Sequence, residues 1–124
     1  MLINLSNHPS ANWSKNQLAE AAKYGQVFDL PFPAINPEAE SGEILQLAQS
    51  FEAQVRQLLL GQSAELNAVH LMGELTFCFA LVVLLQKAGF TCIASTTSRK
   101  TTDHSDGLKS SLFEFVRFRE YVII

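Results

Sequence analysis

The sequence predicts an α/β fold: a three-layer Rossmann-like sandwich around a mostly parallel sheet of about five strands, with a C-terminal edge strand. Three observations predict it. Residues 68–94, AVHLMGELTFCFALVVLLQKAGFTCIA, read as strand, glycine turn, apolar helix, glycine stop and strand. Upstream, two further short apolar runs alternate with segments of helical periodicity. Downstream, a polar stretch with Asp106-Gly107 precedes one more apolar run, so the last strand has no crossover helix.

Leu2 to Leu5 is a short apolar strand, followed by the loop Ser6-Asn7-His8-Pro9-Ser10. Ser14 with Gln17 three residues later has the form of a capping box, opening a short helix through Leu18, Ala21 and Ala22 that stops at Gly25. Val27 to Leu30 is the second strand, broken by Pro31-Phe32-Pro33 because proline cannot donate to a ladder. Asn36-Pro37-Glu38 places a cap residue before a proline suited to a first helical turn. Ile44, Leu47, Ala48, Phe51, Val55, Leu58 and Leu59 then recur at spacings of three and four, the clearest amphipathic helix in the chain. The third strand is Ala68 to Met72 and the fourth Phe90 to Ala94, with the helix around Leu75–Leu85 between them. Lys100 to Ser111 reads as a loop or hairpin turn, and Leu112 to Ile124 as a final strand, antiparallel at an edge or paired with a partner subunit. Residues 1–124 therefore form a single domain, with no repeat, low-complexity tract or linker.

Composition narrows the function. The chain is 48% hydrophobic and 17% charged, as expected of a globular protein. Its net charge of −3 argues against non-specific binding to duplex nucleic acid. The charge is unevenly spread: residues 1–98 hold four basic and eight acidic residues, residues 99–124 five basic and four acidic. A local anion site near the C-terminal end is compatible with this. Cys78 and Cys92 lie in apolar runs without metal-ligand spacing, as buried thiols of a reducing compartment do. The N-terminus has no signal-peptide pattern and no apolar run is long enough to span a bilayer, so a cytoplasmic protein that binds no membrane is expected.

Four constellations could carry chemistry. Asn7, His8 and Ser10 follow the first strand, where α/β folds place ligands, and His8 could shuttle protons. The same residues are ordinary turn formers. Gly73, Glu74 and Thr76 open the apolar helix: Gly73 allows close approach of a ligand, and Glu74 could act as a base or serve only the helix dipole. Ser95, Thr96, Thr97, Ser98 and Arg99 could bind phosphate oxygens by charge-assisted hydrogen bonds, or form a solvated loop. Arg117 and Arg119, two apart, would share a strand face with Phe113, Phe115 and Tyr121. Neither a P-loop nor a G-x-G-x-x-G motif is present, and His8, His70 and His104 lie too far apart in sequence to suggest a metal. No metal and no cofactor are expected. His70, between Val69 and Leu71, reads as a satisfied core histidine, and no G-x-S-x-G elbow supports a Ser-His-Asp triad. The helix Leu75–Leu85 is apolar on every side, so its outer face needs a cover, and a second subunit is the simplest one.

The start LINLSNHPSANW, the block VHLMGELTFCFAL, the segment IASTTSR and the end FEFVRFREY together resemble small single-domain CRISPR-associated proteins, similar to the CRISPR-associated Rossmann-fold (CARF) group. The resemblance implies a role in antiviral defense: a homodimer that binds a cyclic oligoadenylate second messenger across its axis. Some members of the group cleave the messenger without metal, by attack of a ribose 2′-hydroxyl on the adjacent phosphate. Carried onto this chain, it gives Asn7, His8, Ser10, Ser95, Thr96, Thr97 and Arg99 to the ligand, and phosphate charge to Arg99, Arg117 or Arg119. Residues 1–124 leave no room for an effector nuclease domain, so a ring nuclease, a sensor or a partner-binding subunit is expected. The alternatives are an enzyme acting on a small phosphorylated or acidic metabolite with His8 or Glu74 as base, and a non-catalytic interaction protein that docks through the apolar helix.

Overall fold

The computed structural model describes residues 1–124. Five strands form one sheet: β1 (Leu2–Ser6), β2 (Val27–Asp29), β3 (Ala68–Met72), β4 (Cys92–Asp103) and β5 (Lys109–Glu120). Three helices connect the first four: α1 (Lys15–Ala22), α2 (Ser41–Leu59) and α3 (Leu75–Lys87). The sheet order is β2-β1-β3-β4-β5, parallel throughout except for the antiparallel β5 at one edge. This is the expected α/β sandwich, in the flavodoxin-like strand order.

The central strands bury both faces, as parallel strands under helices must. Ile3, Leu5, Val69 and Leu71 point to one side, where α2 and α3 cover them. There Phe77 stands edge-on to Phe32 and Phe51, with ring centroids 5.3 and 5.4 Å away. Leu2, Ala68 and Ile93 point to the other side with Ala21 and Trp13. Along β1 and β3 that second face also carries three buried polar residues, Asn4, Ser6 and His70.

Local chemistry sets the boundaries. Ser14 Oγ accepts from the Gln17 amide at 3.2 Å, capping α1 as expected. Gly25 at φ +94° ends the turn after α1. The helix expected at Asn36-Pro37 begins later, at Ser41, because Asn36 Oδ1 takes the Glu38 amide at 2.9 Å and holds a separate turn. The fourth strand does not end at Ala94. It continues to Asp103 and forms a long hairpin with β5, closed at Gly107 with φ +85°. Ser95–Arg99 therefore lie in a strand rather than a loop, and β5 ends at Glu120, not Ile124.

β3 pairs with β4 only at Cys92 and Ile93, so the arms of the hairpin run on beyond the sheet. Pairing shifts between Thr96 and Thr97, where Val116 is an extra residue in β5. The bulge keeps Phe113, Phe115 and Phe118 on the same side as Ser95 and Thr97.

Candidate functional site

With α1 alone on its face and a hairpin in place of a fourth crossover, the α1 side of β3 and β4 is only partly covered. A cleft of about 480 Å³ opens there, at the carboxyl ends of β1, β3 and β4. The strand order reverses direction between β1 and β3, the position at which α/β sheets bind ligands. Trp13, Phe113 and Phe115 line the cleft on one side, and His8, Gln17, His70, Ser95 and Thr97 supply polar groups.

A continuous hydrogen-bond network forms its floor. Asn4 Nδ2 donates to Asp29 Oδ1 at 2.8 Å and to the His8 carbonyl at 2.9 Å. Its Oδ1 is left as an acceptor, and it receives the Ser6 hydroxyl at 2.8 Å. His70 Nδ1 lies 2.9 Å from that same oxygen, so Nδ1 carries the proton. Nε2 of the neutral ring is then an acceptor, and Ser95 Oγ, 2.7 Å away, donates to it. Gln17 Nε2 donates to Ser95 Oγ at 3.1 Å, so the Gln17 side chain serves the cleft and not the reciprocal arm of its capping box. Ser10 Oγ donates to Asp29 Oδ2 at 2.8 Å, closing the far end. No buried side-chain nitrogen or oxygen lacks a partner.

The electrostatics follow. Burial, with a smaller contribution from the charge of His8, lowers the His70 pKa from 6.5 to about 4. The ring is neutral at pH 7 and its Nε2 lone pair stays available. The edges of Trp13 and Phe118 close around it at 5.3 and 5.5 Å. Burial pushes Asp29 upward, but hydrogen bonds from Asn4 and Ser10 outweigh it and hold the carboxyl below its ordinary range.

The expected site residues divide into three places. Asn7 and His8 are exposed beside the cleft, and the His8 carbonyl holds Asn4 and Trp13 Nε1. Ser95 is half-buried at the centre and Thr97 lies on the wall. Arg99 shares their face farther out, donating to Ser111 Oγ at 3.0 and 3.2 Å with its guanidinium 5.8 Å from the Phe113 ring.

Thr96, Arg117 and Arg119 sit on the opposite parity, since Thr96 pairs with Arg117 and Ala94 with Arg119. The expected face combining Arg117 and Arg119 with Phe113 and Phe115 is therefore not formed, because the bulge separates the two pairs. Thr96 Oγ1 is bonded to the Arg117 backbone, and both arginines border a separate hollow with Glu20, Lys23 and Glu120. Ser98, opposite Glu114, also faces away from the cleft.

Gly73, Glu74 and Thr76 lie elsewhere again. Glu74 caps its own helix, accepting from the Thr76 hydroxyl at 2.6 Å, the Phe77 amide at 2.8 Å and the Thr76 amide at 3.1 Å. These bonds, the Thr76 hydroxyl first, lower its pKa. Gly73 makes room for Phe32, whose ring would overlap an added Cβ. Glu74 and Thr76 edge a larger apolar hollow of about 720 Å³ on the α2–α3 side, in which Glu74 is the sole ionisable group.

Sequence reasoning did not assign Asn4, Trp13, Gln17 or Asp29 to the site. The available signal was Asn4 and His70, two polar residues inside otherwise apolar central strands. No group of three or more His, Cys, Asp or Glu side chains is placed to hold a metal ion, and no helix is long and apolar enough to cross a membrane. The chain matches the model of the Uncharacterized protein MJ1673 family over residues 1–119. No curated protein and no solved structure matches it.

Proposed function

We propose that this chain, which belongs to the MJ1673 family, is a dimeric nucleotide-binding protein of the CRISPR-associated type, taking adenylate units of a cyclic oligoadenylate in the cleft above His70. The observation that carries the reading is the composition of that cleft at the switch point: aromatic rings on one wall and neutral hydrogen-bonding groups on the floor. Aromatic side chains stack on any nucleobase. Ser95, Thr97 and Gln17 offer hydrogen bonds to base edges and ribose hydroxyls. No lysine or arginine lines the cleft, which suits a base and sugar rather than a phosphate. Arg99, farther along the same face, is the group within the hairpin that suits the phosphate.

At about 480 Å³ the cleft takes part of a ring, and each protomer binds on its own, since α3 covers the opposite face of the sheet. The dimer surface is the outer face of α3. Leu75 and Phe79 there are 82% and 74% exposed, beside Val122 and Ile123 at 78% and 75%. Contiguous apolar surface of this kind marks an interface.

Thermal denaturation with cyclic tetra- or hexa-adenylate tests the reading. A rise in Tm with one of the rings, and none with linear adenylate of equal length, is expected. Unchanged Tm with both rings refutes ligand class and cleft together. Cleavage of the ring in the presence of a chelator would place the protein among ring nucleases. The exposed α3 face also favours a second reading, a non-catalytic interaction subunit. That reading predicts that Ser95→Ala leaves function intact while Phe79→Asp abolishes it.

A further inference from the structure

We propose that Ser95 is a nucleophile toward phosphorus, with His70 as its base, so that the cleft breaks a phosphodiester through a covalent seryl intermediate. The natural substrate rests on the nucleotide reading above; the nucleophile does not. Hydrogen-bond polarity carries the inference. Both protons of Asn4 Nδ2 are taken by Asp29 and the His8 carbonyl. Asn4 Oδ1 must therefore accept from His70 Nδ1, and the Nε2 lone pair must face Ser95 Oγ at 2.7 Å. A hydroxyl donating to an imidazole whose far nitrogen is held by a fixed acceptor is the arrangement that activates a serine. Asn4 is the positioning residue, and Asp29 holds Asn4.

Exposure supports the assignment. His70 is 1% exposed, whereas Ser95 is half-buried and borders the open cleft. Ser95 Oγ is thus the more open end of the relay, although His70 also borders the cleft. Gln17 Nε2 occupies one lone pair of Ser95 Oγ and leaves the other free for attack. Its second amide proton and the Thr97 hydroxyl are donors beside the reacting centre.

In the first step Oγ bonds to phosphorus while its proton passes to Nε2. The bond from phosphorus to the ribose oxygen opposite Oγ breaks, and that oxygen takes a proton from a water of the open cleft, which becomes hydroxide. That hydroxide then attacks the phosphoseryl diester from the side opposite Oγ, while Nε2 still holds the serine proton. The bond from phosphorus to Oγ breaks, and Ser95 takes the proton back. The product is a linear chain ending in a phosphomonoester. Attack by a ribose 2′-hydroxyl would instead leave a 2′,3′-cyclic phosphate.

The test is reaction of the whole protein with a fluorophosphonate probe, read by intact mass and peptide mapping. One adduct, on Ser95, is expected, lost in Ser95→Ala and slowed at least tenfold in His70→Gln. Circular dichroism checks that both variants are folded, and the wild-type adduct decides the question if either is not. No adduct, or an adduct on another residue, overturns the proposal and leaves the network as structural. A second arm uses cyclic tetra-adenylate made with 2′-deoxyribose. Its cleavage by the wild type is expected; survival of the deoxy ring while the ribose ring is cut overturns the seryl route. If neither ring raises the Tm, the nucleotide reading fails, and the probe result still decides the nucleophile.

Discussion

Lowering the pH should unfold this protein through one residue. His70 is 1% exposed and its pKa is lowered to about 4, against 6.5 for a histidine in an unfolded chain. The folded state resists the proton and the unfolded state accepts it. The stabilisation is thus fully present above pH 6.5 and is lost as the pH falls from 6.5 toward 4. At about 1.4 kcal/mol per pH unit, the loss by pH 4 is about 3 kcal/mol, a large share of the net stability of a small domain. Asp29 and Glu74 share only the foot of this window. Their pKa values are lowered below the ordinary carboxylate range, so their contributions are whole at pH 6 and fade as the pH falls through that range and below it. The assay is urea denaturation between pH 8 and pH 4, followed by the fluorescence of the single tryptophan, Trp13, which lies beside the His70 ring. His70→Gln removes the titration and keeps a hydrogen-bonding side chain. Its stability should fall much less over the same range, although it starts lower at pH 8. Parallel pH profiles for the two proteins, or an imidazole of His70 that titrates near 6.5 in the folded state by NMR, would refute the reasoning.

Three further outcomes follow from the geometry. Gly73→Ala forces a methyl into the Phe32 ring and should cost about 1–3 kcal/mol in urea denaturation, as overpacking does; Phe32→Leu in the same chain should restore part of it. Glu74→Gln weakens the cap of α3 and should lower the Tm while leaving any shift by cyclic tetra-adenylate unchanged, since Glu74 lies outside the His70 cleft. Phe79→Asp places a charge on the exposed face of α3 and should convert a dimer to a monomer in sedimentation velocity without loss of helical circular dichroism.

The strands and helices were legible because each rests on local pattern. Leu2–Leu5 and Ala68–Met72 are apolar runs bounded by turn residues, and Ser14 announces α1 by its spacing to Gln17. The turn at Asn36 was misread because the same asparagine can cap a helix or hold an isolated turn, and only the following chain decides which. The bulge at Val116 left no mark in the sequence, yet it decides which aromatic and basic residues of β5 share a face. The candidate site was only half legible for a related reason. Ser95 could be suspected from its place in a hydroxyl cluster. Its partners His70 and Gln17 stand 25 and 78 positions away, and Asn4 lies 66 positions from His70. Contacts of that separation depend on sheet order, and no local periodicity encodes them.

Sheet order also explains why this cleft exists. A right-handed crossover helix between β4 and a parallel fifth strand would have lain on the α2–α3 side, continuing the direction of β3 to β4. It would not have covered His70. The α1 side of β3 and β4 is open because the chain reverses direction at β1 and commits only α1 to that face. What covers His70 is therefore made from side chains: Trp13 before α1 and Phe118 from the hairpin. Such a cover seals the imidazole but ends at Ser95, and beyond it Phe113 and Phe115 from the protruding hairpin extend the wall. The antiparallel hairpin thus supplies Ser95, Thr97, Phe113 and Phe115, and the sheet and the α1 segment supply His70, Trp13 and Gln17. A ligand held there must touch both, so its binding should stiffen the hairpin against the sheet. Hydrogen exchange at the amides of residues 96–103 and 109–117 should slow when cyclic tetra-adenylate binds, while exchange in α2 is unchanged; equal protection in both regions would place the ligand elsewhere.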